Sequence, residues 1–154
     1  MSSSPNPEPA VSERASTPVL NTIDIVVSDL RAAIAFYARL GLDFRVDPTY
    51  PDHAGCDLPG GLHLMLDTEK FRASVHQEAG WDRPTGDPRT FLAFQLPAPE
   101  AVDAAYADLT GAGHRGVQPP WNAFWGMRYA TVADPDGNGV DLYCPLPADQ
   151  HDAR

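Results

Sequence analysis

Three ionisable side chains, Asp24, His63 and Asp141, stand in short apolar runs, where each is carried among hydrophobic neighbours. A carboxylate that orients an imidazole lets the ring shuttle a proton near neutral pH. The same groups can instead pair or stay hydrated, or accept hydrogen bonds from the amines and hydroxyls of a ligand. A second set is aromatic: Trp121, Phe124 and Trp125, with Asn122 between them, fall in PPWNAFWG, a stretch with two prolines and no helical or strand period, which predicts a loop. Indole rings on a loop stack on a flat ligand, at about 0.5–1.5 kcal/mol each beyond burial, and each N–H can donate to a carbonyl. The alternative is that they plug the end of the core or a subunit contact.

The elements that must position these residues repeat. In TIDIVVSDLRAAIAFYARLGL an apolar strand runs into Asp29, after which Leu30, Ala33, Ile34, Tyr37 and Leu40 recur at helical spacing. FLAFQLPAPEAVDAAYADLTGAG is the same unit, with Pro99 suited to a helix's first turn and a glycine stop. Tyr37 falls on Tyr106 and Leu40 on Leu109, an offset of 69 residues that also sets Thr22 on Phe91. Short strand-like runs follow each helix, and in the second half DPDGNG makes a tight turn before VDLYCP. The expected fold is α+β: two β-α-β-β-β repeats whose sheets form a curved half-barrel trough, helices outside.

Strand alternation buries Ile23, Ile25 and Val27 under the helix and turns Thr22, Asp24 and Val26 to the trough. By repeat, Phe91, Ala93 and Gln95 join them, with His63 and Met65 from one terminal strand and Asp141 and Tyr143 from the other. Matching Gly61-Leu62-His63 to Gly139-Val140-Asp141 makes His63 and Asp141 positional twins.

Length and composition bound the rest. The chain has 154 residues, 43% of them hydrophobic, and a formal charge of −10, which fits one globular domain and disfavours nucleic acid and anionic membrane surfaces as partners. Cys56 and Cys144 have no finger spacing around them and read as small core residues. Residues 1–18 and 148–154 read as disordered tails, and the first lacks signal and transit features, so the expected location is the cytoplasm. A single domain spans 19–147: repeat one 19–68, a connection 69–89 that is either a lid or a linker anchored by Trp81, and repeat two 90–147. Arg39, Asp103 and Asp108 read as solvated helix faces.

VVSDLRAAIAFYARLGL and DPDGNGVDLYCPL resemble the vicinal oxygen chelate superfamily, the glyoxalase, bleomycin-resistance and extradiol-dioxygenase group, from Pro18 to Pro147. Within it, GGLHLMLDT, Arg83-Pro84-Thr85-Gly86 and PPWNAFWGMRYATVADPDGNGVDLYCPL are most similar to mitomycin-resistance and related drug-sequestering proteins. In metal-dependent members the ligand positions match Thr22, His63, Phe91 and Asp141. Phe91 has no lone pair and a neutral Thr hydroxyl is a poor ligand, so the expectation is no metal and no cofactor. Asp24 stands roughly 7 Å from the required level.

The resemblance implies a metal-independent protein that sequesters a planar aromatic or quinone-like natural product, as antibiotic self-resistance. Trp121 and then Trp125 would stack on it, with Asn122, Phe124, Phe91, Met65, Tyr143, Thr22 and Gln95 around it. It also implies a homodimer whose two troughs are each completed by the partner chain, often with exchanged halves. The alternative is an isomerase, dehydratase or cyclase of secondary metabolism using His63 with Asp24 or Asp141, and a third reading is a metal-dependent lyase or dioxygenase.

Overall fold

A computed structural model describes residues 3–7 and 16–148, so most of both expected tails lies outside the described residues. The elements run β1 (Thr22–Val27), α1 (Leu30–Ala38), β2 (Arg45–Val46), β3 (His53–Asp57), β4 (His63–Thr68) and α2 (Glu69–Val75), then β5 (Phe91–Gln95), α3 (Pro99–Gly111), β6 (Gly116–Ala123), β7 (Met127–Ala133) and β8 (Gly139–Pro145). They form two open four-stranded sheets of the same order, β1-β4-β3-β2 and β5-β8-β7-β6. In each, the first and last strands of the repeat pair in parallel and the other neighbours are antiparallel. The α+β fold of two β-α-β-β-β repeats is therefore present.

Local chemistry fixes the helices. The Asp29 carboxylate accepts the Ala32 amide at 3.1 Å and caps α1, which ends where Gly41 takes a positive φ. Pro99 opens α3, where its missing N–H costs nothing. The connection begins with a helix, since the Thr68 hydroxyl accepts from Phe71 N–H at 3.1 Å and starts α2 inside the stretch read as linker or lid.

The prolines of PPWNAFWG did not make a loop. Pro119 and Pro120 lie in β6, an edge strand paired only with β7, and the register shifts between Gln118 and Trp121 bracket them. An edge strand with a bulge tolerates a missing N–H that a central strand would not. Phe124, Trp125 and Gly126 form the hairpin turn that follows.

One hydrophobic core serves both halves, with Ile25 and Val27 from β1, Phe36 and Tyr37 from α1, Val102 and Leu109 from α3, and Val140 and Leu142 from β8. Cys56 and Cys144 are free and buried in it. The buried Tyr37 hydroxyl donates to Asp134 Oδ2 at 2.8 Å, and Ser28 N–H donates to the Asp136 carboxylate at 3.1 Å, so the DPDGN turn anchors the first half. Asp134 also accepts from the amides of Asp136 and Asn138, both at 2.9 Å, which lets its buried carboxylate hold the turn together. The expected solvated residues carry surface ion pairs: Arg39 with Asp108 across the halves and Arg128 with Asp103, both at 2.9 Å.

Candidate functional site

In the second half, β6, β7 and β8 bring Trp121 opposite Tyr129 and Tyr129 opposite Tyr143, so the three rings share the trough face. Trp125 reaches back from the hairpin turn. Its ring stands edge-on to Trp121 at 5.5 Å, to Tyr129 at 5.3 Å and to Phe124 at 4.8 Å, while Tyr129 and Tyr143 stack at 6.2 Å. Edge-to-face contacts brace such rings against one another. Trp125 nevertheless stays 47% exposed, leaving apolar surface for a ligand.

One carboxylate sits beside this floor. Tyr129 Oη donates to Asp141 Oδ2 at 2.6 Å and Thr131 Oγ1 donates to Oδ1 at 2.7 Å, so both oxygens are fixed by neighbours on β7. Burial, followed by the bond to Asp141, pushes the Tyr129 phenol up to about 12 and keeps it a donor at neutral pH. Tyr143 Oη reaches Gln95 only at 3.5 Å. Phe91, 46% exposed, lies over Gly139, where an added Cβ would collide with its ring. Asn122 differs from expectation: it is opposite Arg128 in the register and accepts its Nη1–H at 3.0 Å, on the α3 side of the sheet.

The first half presents the same face with different chemistry. His63 Nδ1 donates to Asp57 Oδ1 at 2.7 Å, and His53 Nδ1 donates to Asp67 Oδ1 at 2.6 Å, Asp67 being only 3% exposed. Asp24 has Arg72 at 3.4 Å from one oxygen and no other fixed donor, the neighbouring Asp67 being a second carboxylate with which it can hydrogen-bond only by sharing a proton. Burial first, then the neighbouring Asp67, push its carboxyl up to about 7. Met65 sits opposite both Asp24 and Gly55, and Thr22 donates its hydroxyl to Asn21 at 2.8 Å.

Two expectations about His63 change. Its partner is Asp57, neither Asp24 nor Asp141. Its positional twin is Gly139, because Thr22 pairs with His63 as Phe91 pairs with Gly139, and Asp141 corresponds to Met65. Matching the two Gly-led strand starts slipped the alignment by two residues, which preserves the face and so passes unnoticed in an alternation pattern.

That register also decides how well the quartet would suit a metal. The Phe91 level carries a ring over a glycine, the Thr22 hydroxyl is turned to Asn21, and the Asp141 oxygens are engaged one level away. Among the described residues no three His, Cys, Asp or Glu side chains stand where they could hold an ion together. These donors do not fit a metal cage.

Sequence reading missed His53, Asp57, Asp67, Tyr129 and Thr131. Extending the alternation two residues beyond Met65 and along HAGCD and MRYAT would have found them, since each faces the trough by pairing. A cavity of about 500 Å³ lies between the halves, lined by β1, by Trp81, Arg83 and Pro84 of the connection, and by Leu92 and the DPDGN turn.

Comparison with known proteins bears on the fold. The family model of the glyoxalase/bleomycin resistance protein/dioxygenase superfamily matches residues 19–142. No curated protein matches the chain. Among solved structures, a glyoxalase/bleomycin resistance protein/dioxygenase family enzyme from Burkholderia phytofirmans PsJN is 23% identical, with 82% of this chain and 98% of that one covered and a TM-score of 0.72. A glyoxalase/bleomycin resistance protein/dioxygenase from Nocardioides is 23% identical, with 86% and 87% covered and a TM-score of 0.68. A glyoxalase-related enzyme from Fulvimarina pelagi is 21% identical, with 86% and 95% covered and a TM-score of 0.69. Repeat order, sheet topology and the family match agree: this chain belongs to the glyoxalase/bleomycin resistance protein/dioxygenase superfamily.

Proposed function

We propose that this chain binds a planar aromatic or quinone-like small molecule on the ring-lined face of its second half and sequesters it without a metal or cofactor. The observation that carries the reading is the set Trp121, Tyr129 and Tyr143 on one sheet face, joined by Trp125 from the hairpin turn, beside a fixed carboxylate. Burying ~300 Å² of a ligand's apolar surface is worth roughly 7 kcal/mol before association costs, and stacking adds to that. Micromolar binding follows, which protects a cell only where the protein is abundant. Self-resistance to a natural product, a homodimer that completes each trough, and a cytoplasmic location belong to the same proposal.

The test is a calorimetric titration with naphthoquinone and anthraquinone probes. Saturable binding that weakens about tenfold in Trp121→Ala, ~1.4 kcal/mol, supports the proposal, and an unchanged affinity removes Trp121 from the site. A second reading, an isomerase, dehydratase or cyclase, draws support from the His63–Asp57 pair, which fixes one ring nitrogen and leaves the other for proton transfer. It requires product formed on incubation and its loss in His63→Ala, both visible by mass spectrometry.

A further inference from the structure

The cavity between the halves is separate from the ring-lined face and has a chemistry of its own. Its volume, about 500 Å³, is that of a small-molecule pocket. Ile23, Ile25, Val26 and Leu92 give it apolar walls, and Trp81 adds an indole from the connection. Its charged lining is mostly acidic: Asp24, Glu69 and Asp136 against Arg83 alone. Arg83 is already held by Glu69 at 2.8 Å, and Asp136 accepts from the Ser28 amide. Asp24 is the least neutralised member: its one cationic contact, to Arg72, is long at 3.4 Å, and its other close neighbour, Asp67, is a second carboxylate with which it can hydrogen-bond only by sharing a proton. Two adjoining carboxylates with one distant cation are stabilised by a further cationic donor.

We propose that this cavity is a second binding site, selective for an organic amine whose apolar or aromatic body lies along β1 and Trp81 and whose ammonium group is received by Asp24. An indole ring takes an apolar or aromatic body by stacking, so Trp81 suits the body of such a ligand as Asp24 suits its ammonium group. The groups facing Asp24 are Asp67 of β4, His53 of β3 and Arg72 of α2, with Asp67 opposing its ionisation and Arg72 and His53 assisting it. An ammonium ion joins the assisting side. Binding therefore strengthens as Asp24 loses its proton, between about pH 6 and about pH 8.

The experiment uses the full chain carrying Trp121→Phe and Trp125→Phe, which leaves Trp81 as the one remaining tryptophan of three. Its fluorescence is titrated with phenethylamine and with 2-phenylethanol, an uncharged match of similar shape. The expected result is a saturable change with the amine, at least fivefold weaker for the alcohol, with amine affinity rising from about pH 6 to about pH 8. Asp24→Asn should abolish the preference and leave alcohol binding unchanged. Equal affinity for the two probes, no saturable Trp81 response up to about 10 mM amine, or a preference that survives Asp24→Asn overturns the proposal. The pH series needs no change at Asp24, so it decides the matter even where that variant is unstable.

Discussion

The two halves share one fold and one register yet furnish the trough in opposite ways. Position for position, His53 opposite Asp67 in the first half is replaced by Tyr129 opposite Tyr143 in the second. Likewise His63 opposite Thr22 becomes Gly139 opposite Phe91, and Asp24 becomes Ala93. Where one half pairs histidines with carboxylates, the other stacks rings. Backbone pairing sets which residues face inward, and side-chain identity alone decides what that face can do. A single sheet geometry thus carries ionisable groups on one side and aromatic rings on the other.

Removing the rings should have the largest effect. Trp121→Ala with Trp125→Ala is expected to weaken quinone binding about hundredfold, ~2.7 kcal/mol, measured by calorimetry. A loss confined to a fewfold would mean that the rings serve packing. Next comes the asymmetry between the repeat-related Tyr37 and Tyr106. Tyr37→Phe removes a buried bond to the Asp134 carboxylate and should cost about 1.5–2 kcal/mol in denaturant unfolding. For Tyr106→Phe, whose residue is only partly buried at the repeat-equivalent position, the expected cost is below about 0.5 kcal/mol. Equal costs would contradict the anchoring role of the DPDGN turn.

The ionisable side has its own signature. Asp24 is raised from 3.8 to about 7 in the fold, so the native state holds a proton that the unfolded state releases first. Its favourable contribution is fully present below about pH 4 and is lost as pH rises towards 7. Asp24→Asn should gain stability relative to the parent across that window, and a difference that stays flat with pH would refute it. The smallest effect is expected from His63→Ala, which should leave quinone affinity within about twofold, whereas a large loss would move the site to the first half.

Much of this was legible in the residues. Two helix periodicities at a constant offset disclosed the repeat, and strand alternation put Thr22, Asp24, His63 and Asp141 on the trough face. What alternation lacks is register: a shift by two keeps the face, so His63 was matched to Asp141 when backbone pairing matches it to Gly139. The prolines before Trp121 read as a loop because a missing donor rules out a central strand, and nothing local marks a strand as an edge. The face of Asn122 and the His53–Asp67 pair depend on cross-strand neighbours that lie six and fourteen residues away along the chain.

Nuclear magnetic resonance of the full chain during a quinone titration tests the central claim most directly, by following the indole N–H signals of Trp81, Trp121 and Trp125 with the ring signals of His53 and His63. The account predicts that the Trp121 and Trp125 signals shift and saturate together while His53, His63 and Trp81 stay in place. Movement of the histidines with Trp121 and Trp125 unchanged would contradict it.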